Sequence, residues 1–199
     1  MLTLGGRYDE KPPGDRDGFL LFAQRLRPPT VYNAIRRAKP ASEITRFGFK
    51  KSCWRHFERL DKFPQGLLPF GDAICRFNPI YGQGMSVAAL EAEVLKKLLT
   101  AHSDGLVGLA AAFFGEAAKL IDTPWWTAAI PDFLDPRAEG QCPPDLEDTL
   151  KLFAMLLKLA AQDATVHKLF LEVQNLLKPR TALRDPELIR PVKEVMAEA

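Results

Sequence analysis

The sequence predicts an α+β fold that turns mostly helical after residue 84. Three observations carry that class. Residues 42–57 alternate in part between apolar and polar and are rich in β-branched and aromatic types, the pattern of a half-exposed strand. A short apolar run, Leu67-Leu68-Pro69-Phe70, leads straight into Gly71-Asp72. From Met85 onward apolar residues recur at three- and four-residue spacing, broken only by prolines and short polar stretches.

Met1-Leu2-Thr3-Leu4 reads as a strand over residues 1–7, followed by a turn cluster at Lys11-Pro12-Pro13-Gly14-Asp15. Asp17 can cap a helix whose apolar face is Phe19, Phe22, Ala23 and Leu26. Pro28-Pro29 ends that helix, and Thr30 can cap a second short one reaching Arg37. The long strand over 42–57 follows, then a turn at Phe63-Pro64-Gln65-Gly66 and a short buried strand over 67–70. The next helix carries Met85, Ala88, Ala89, Ala92, Leu95 and Leu99 as its apolar stripe, with Glu91, Glu93, Lys96 and Lys97 outside it. Further helices are expected over about 105–121, 123–133, 145–162, 163–176 and 186–198. No repeat or low-complexity tract interrupts them.

Bulk properties narrow the function. The chain has 199 residues, 47% hydrophobic and 26% charged, with a formal net charge of +2. That balance gives no reason to propose nucleic acid or an anionic membrane as a partner. No apolar stretch reaches the roughly 20 residues a membrane helix needs, and the start lacks the basic and apolar regions of a secretory signal. Cys53, Cys75 and Cys142 are widely spaced and odd in number. They read as free thiols of a reducing, cytoplasmic compartment. His56, His102 and His167 are scattered, so no metal site is expected.

The stretch with chemical content is Gly71-Asp72-Ala73-Ile74-Cys75-Arg76-Phe77-Asn78-Pro79-Ile80-Tyr81-Gly82-Gln83-Gly84-Met85-Ser86. Gly71 permits close backbone approach, and Asp72 offers a carboxylate to hydroxyl groups. Gly82 and Gly84 leave N–H groups uncovered ahead of a long helix, whose start carries partial positive charge. Together these suit a polyhydroxylated ligand that becomes anionic, and a reduced flavin has both properties.

The run GDAICRFNPIYGQGMSVAALEA resembles the second flavin motif of FAD-dependent monooxygenases with the p-hydroxybenzoate hydroxylase fold, and most of all bacterial members carrying FNPxYGQGM after the Gly-Asp pair. Gly71, Asp72, Pro79, Gly82, Gln83, Gly84 and Met85 match that motif and are the implied cofactor-binding residues. The upstream Arg55-His56-Phe57-Glu58-Arg59-Leu60 and Phe63-Pro64-Gln65-Gly66-Leu67-Leu68 resemble the family's approach to it. The resemblance implies that the aspartate holds the ribityl chain while the Pro–Gly loop and helix start line the isoalloxazine. It implies FAD as cofactor, NAD(P)H as reductant and a small organic substrate. The implied reaction is flavin reduction, oxygen addition at flavin C4a and transfer of one oxygen atom, hydroxylating or epoxidising the substrate, with no side chain as a catalytic nucleophile.

It further implies that residues 1–65 end a substrate-domain sheet with two helices, that 66–103 belong to the FAD domain, and that 104–199 form a helical C-terminal region. The chain is thus expected to be the C-terminal part of an α/β FAD-binding monooxygenase fold. The GxGxxG unit that grips the ADP half of FAD in this family has no counterpart in the sequence. The expected partner is accordingly a separate N-terminal FAD-binding half, with apolar surface exposed at 1–8 and 66–74. A reductase or halogenase on the same flavin frame, and a non-catalytic fragment that acts by binding a partner, are the alternatives. Tyr81 faces either the flavin or the core. Cys75 and Arg76 are read as structural, His56 as solvated or hydrogen-bonded, Trp125-Trp126 as a packing anchor, and Leu152, Phe153, Leu156 and Leu159 as core or partner surface.

Overall fold

The computed structural model describes residues 1–6, 9–101 and 105–188. The chain divides into two compact units, Met1–Lys51 and Ser52–Ala199.

In the first unit, helix α1 spans Arg16–Arg25 and α2 spans Thr30–Ile35. Asp15, not Asp17, caps α1: its side chain accepts from the Gly18 N–H at 2.8 Å, while Asp17 lies in the first turn as an acid favoured by the helix dipole. Thr30 is the first residue of α2 rather than its cap, which falls on Pro29 with no side-chain bond. Residues 1–6 form no strand, and most of 42–51 is exposed chain without ladder bonds. Phe47 and Phe49 touch edge to face, ring centroids 6.0 Å apart, and both are exposed. β propensity needs a neighbouring strand to become a sheet, and none pairs with this segment among the described residues.

The second unit is α+β only in a minimal sense. Of the long strand expected over 42–57, Cys53–Trp54 (β1) alone is paired, antiparallel to Cys75–Arg76 (β2), with Cys53 opposite Arg76 and Trp54 opposite Cys75. The run 67–70 is not a strand; Leu67 and Phe70 are exposed. Four helices follow: α3 over Gly84–Ala101, α4 over Leu109–Asp132, α5 over Leu146–Ala160 and α6 over Ala164–Gln174. The backbone is helical again at 186–188, and the rest of the helix expected over 186–198 lies outside the described residues.

Helix α4 joins the two helices expected over 105–121 and 123–133. Pro124 lies inside it without ending it. Its ring is buried, the Thr127 hydroxyl donates to the Thr123 carbonyl at 2.8 Å, and the Arg180 N–H donates to Thr123 Oγ1 at 3.1 Å. Asp163 caps α6, accepting from the N–H groups of Thr165 and Val166.

The core gathers Ile74, Cys75, Phe77 and Val87 against Phe113, Phe114, Ala117 and Ile121 of α4. Phe57, Phe63 and Phe114 form an aromatic triangle with centroids 4.8–5.5 Å apart. Edge-to-face and tilted contacts of this kind fix the approach to β2 beyond what area burial contributes. Trp54 packs on Trp125 at 5.8 Å, and the Arg180 guanidinium lies over Trp126 at 5.6 Å, so both tryptophans of α4 act in packing. In α5, Leu156 is buried and Phe153 meets Phe170 of α6 at 5.5 Å.

Candidate functional site

Gly71 and Asp72 lie in a single 3₁₀ turn, Gly71–Ala73, directly before β2. Asp72 is therefore not at the end of a preceding strand, as the sequence suggested, but at the entry to one. Gly71 has φ 56°, a left-handed conformation that costs a side-chain-bearing residue about 1–2 kcal/mol. The turn is closed by Ala73 N–H to the Phe70 carbonyl (3.1 Å) and Ile74 N–H to the Gly71 carbonyl (2.8 Å). The Arg55 guanidinium donates to the carbonyls of Asp72 (3.1 Å) and Ala73 (3.2 Å). These contacts use the backbone of Asp72 and leave its side chain exposed.

The second half of the segment is a turn over Pro79–Tyr81. Asn78 Oδ1 accepts from the Ile80 N–H at 3.2 Å, and Pro79 supplies the fixed φ of the first position. Gly82 follows with φ 67°. The turn is fastened to the far end of α4: Asn78 Nδ2 donates to both oxygens of Asp132 at 3.2 and 3.3 Å, and the Tyr81 hydroxyl reaches Asp132 Oδ1 at 3.4 Å. Tyr81 is thus engaged with α4. Gln83 Nε2 donates to the Gln174 carbonyl at the end of α6 (3.2 Å), which directs that side chain towards α6.

Helix α3 begins at Gly84, as expected. The Val87 N–H takes the Gln83 carbonyl at 3.0 Å, so Gly84, Met85 and Ser86 precede the ladder. A Cβ placed on Gly84 would stand 3.8 Å from Asp72 Oδ1. The carboxylate and the positive end of the helix therefore adjoin, although twelve residues separate them in sequence. Met85 is exposed at 86%, its side chain outside the core. Of the seven residues in the matched motif, Gly71, Asp72 and Gly84 come together directly, while Pro79, Gly82 and Gln83 form the braced loop between them.

The face that α3 buries differs from the expected stripe. Val87 and Glu91 are buried, and Val94, Leu95 and Leu98 pack on the core. Positions 87, 91, 94 and 98 share one side of a helix at 100° per residue. Met85, Ala89, Ala92 and Leu99 lie on the opposite side and are exposed, with Ala88 and Leu95 between. Both sides are apolar, and α4 covers only the first. On the open side, Phe70, Ala92, Leu95, Lys96, Leu99 and Thr100 line a shallow groove of about 490 Å³. This groove runs along α3.

Sequence reasoning missed Glu91. It is 0% exposed, and its Oε2 accepts the Gly71 N–H at 2.8 Å. Burial pushes its carboxyl above the ordinary range, the Gly71 N–H pulls the other way, and the charge of Asp72 adds to the rise. The signal was a glutamate in line with Val87, Val94 and Leu98. Cys75 is buried in the core cluster, and burial likewise raises its thiol far above its usual range, helped by Cys53, Glu91 and Asp72. His56 takes φ 48°, stacks on Trp54 at 4.1 Å and pairs through Nδ1 with Glu58 Oε1 at 2.6 Å. No group of three or more side chains suited to a metal ion is present among the described residues, and none of their helices is long and apolar enough to cross a membrane.

No protein-family model matches the chain. Protein Rv3254 of Mycobacterium tuberculosis (strain ATCC 25618 / H37Rv) is similar to it, with 34% identity over 179 residues. The match takes in 89% of this chain and 38% of the relative, so the chain spans about two fifths of that protein's length.

Proposed function

We propose that the chain is the flavin-facing C-terminal portion of an FAD-dependent monooxygenase with the p-hydroxybenzoate hydroxylase fold, working with a separate FAD-binding half, NAD(P)H and a small organic substrate. The observation that carries the reading is the adjacency of the Asp72 carboxylate and the start of α3 at Gly84. Asp72 is an exposed acceptor with a braced backbone, suited to ribityl hydroxyls. The N–H groups at Gly84–Ser86 are suited to the negative charge that a reduced flavin carries at N1 and C2=O. Gly82 and Gly84 carry no side chain that would bar a ring from the backbone. The residues present therefore fit the flavin portion of FAD. When bound, the flavin supplies the redox and oxygen-activating chemistry. The chain's own residues hold the hydroxylated tail, place positive potential under the ring and brace the loop through Asn78, Tyr81 and Asp132.

The open apolar side of α3 favours a second reading, in which the chain acts by binding a partner polypeptide. The two readings part on flavin. Titration of riboflavin and of FAD, followed by fluorescence quenching, should give saturable binding to the chain that weakens at least tenfold in Asp72→Ala, the loss of one or two charge-assisted hydrogen bonds. FAD should bind more tightly when the portion of Rv3254 outside the matched segment is co-expressed. Absence of saturable quenching under both conditions, or equal binding by Asp72→Ala, would refute the flavin assignment.

A further inference from the structure

We infer that Glu91 is a positioning residue for the Asp72 site: it holds the Gly71 turn, and through it the Asp72 carboxylate, against the start of α3. The inference rests on the flavin reading for its functional consequence, but its geometry is independent of any ligand. Glu91 lies on α3 seven residues after Gly84, and its side chain turns into the core and back towards Gly71. A fully buried glutamate in an apolar stripe is costly unless its polar atoms are used. Here one oxygen takes the Gly71 N–H at 2.8 Å, and the other, Oε1, has no hydrogen-bond partner among the described residues. A carboxyl retained at that cost is not explained by core packing, which leucine would serve better.

What the bond secures is specific. Gly71 sits at φ 56°, where the chain turns sharply before β2, and a Cβ there would meet Ala88 Cβ of α3 at 3.7 Å. The same helix thus contacts the turn at three points: Gly84 beside the Asp72 carboxylate, Ala88 beside the Gly71 backbone, and Glu91 on the Gly71 N–H. These residues recur at four- and three-residue spacing on one side of α3, so the helix acts as a ruler for the turn. The Arg55 guanidinium holds the turn's carbonyls of Asp72 and Ala73. Of these contacts, Glu91 alone engages the Gly71 N–H, and so fixes the Phe70–Gly71 peptide through which the chain enters the turn.

The test uses Glu91→Leu, which fills the volume without an acceptor, and Glu91→Gln, which restores one. Gly71 amide exchange, followed by NMR on the full chain, should accelerate at least tenfold in Glu91→Leu and return to the wild-type rate in Glu91→Gln. Riboflavin affinity should fall in Glu91→Leu by about the same factor as in Asp72→Ala. It should recover in Glu91→Gln and fall no further in the Glu91→Leu, Asp72→Ala double variant. A Gly71 amide that exchanges equally in all three proteins, or losses that multiply in the double variant, would overturn the inference. Should Glu91→Leu fail to fold, unchanged Gly71 exchange in Glu91→Ala would overturn it equally. If riboflavin does not bind the wild type, the flavin reading fails and the exchange measurement alone decides the role of Glu91.

Discussion

Asp72 Oδ1 and Gly84 stand so close that a methyl group on Gly84 would meet the carboxylate at 3.8 Å, an ordinary van der Waals contact. The fold therefore tolerates alanine at this position, and alanine is the better helix former. Gly84→Ala should leave the melting temperature unchanged or slightly raised. Flavin affinity should nevertheless drop roughly tenfold, about 1.4 kcal/mol, because the methyl group occupies the space between acid and helix start. Calorimetric melting paired with riboflavin titration separates the two effects. A variant that keeps full affinity would show that the gap is not used.

The Glu91 carboxyl gives the chain a pH dependence of unusual sign. Its folded-state pKa is raised above the ordinary value of 4.5, chiefly by burial. The folded state thus holds its proton more tightly than the unfolded chain does. The resulting stability is present in full below pH 4.5 and is lost as pH rises from there through the folded value. Surface acids such as Asp145 and Glu172, lowered by hydrogen bonds to Arg184 and Lys178, act in the opposite direction. Comparison with Glu91→Gln isolates the buried group. The variant should match the wild type near pH 4 and become more stable than it as pH rises to neutrality, as read from urea midpoints. Parallel curves for the two proteins across that range would remove the burial argument.

How far the site could be read from sequence depended on how local each signal was. The helix start at Gly84, the turn at Gln65-Gly66 and the loop with Pro79 and Gly82 are set by residues within a few positions of one another, and all were legible. The buried face of α3 was not. Val87, Val94 and Leu98 on one side compete with Met85, Ala89, Ala92 and Leu99 on the other, and only the placement of α4 decides between them. Glu91 was misread for the same reason, since its burial depends on Gly71, twenty residues earlier. The strand expected over 1–7 does not form in residues 1–6, and the one over 42–57 shrinks to Cys53–Trp54, because side-chain pattern specifies strand tendency while pairing needs a partner. Exposed Phe47, Phe49 and Leu67 are what such a tendency looks like without one, whereas Phe70 lines the open side of α3. In the first segment, exposure holds for Met1 and Leu2, while Arg7 and Tyr8 lie outside the described residues.

The three thiols should differ in reactivity in the order of their surroundings. Cys142 is exposed, Cys53 is half-buried and Cys75 is buried with its thiol held strongly neutral. Since the thiolate is the reacting form, a native titration with an aromatic disulfide reagent should show one fast thiol and one slow one. The third should react only on unfolding. Replacing Cys142 by serine should remove the fast phase without altering stability. A fast phase surviving in that variant would mean that β1 or β2 opens readily.

The open side of α3 carries the last prediction. Leu99 is 47% exposed, Met85 is 86% exposed, and the groove between Phe70 and Leu99 is lined mainly by carbon. A helix with two apolar sides and cover on only one leaves surface that water does not favour. Leu99→Glu replaces part of that surface with charge, beside Lys96 on the next turn down and away from Val87, Glu91 and Leu98 on the packed side. Because the site is exposed, stability should change by no more than about 0.5 kcal/mol. Self-association, measured by light scattering across a concentration series, should fall, and so should fluorescence of a dye that binds exposed apolar surface. If the flavin assignment is right, Leu99→Glu should also lose the gain in FAD affinity expected from the co-expressed portion of Rv3254, while riboflavin binding to the chain alone stays at the wild-type level. That split would assign the open side of α3 to the partner and the Asp72–Gly84 gap to the flavin. Equal loss of both would instead mean that the groove belongs to the cofactor site itself.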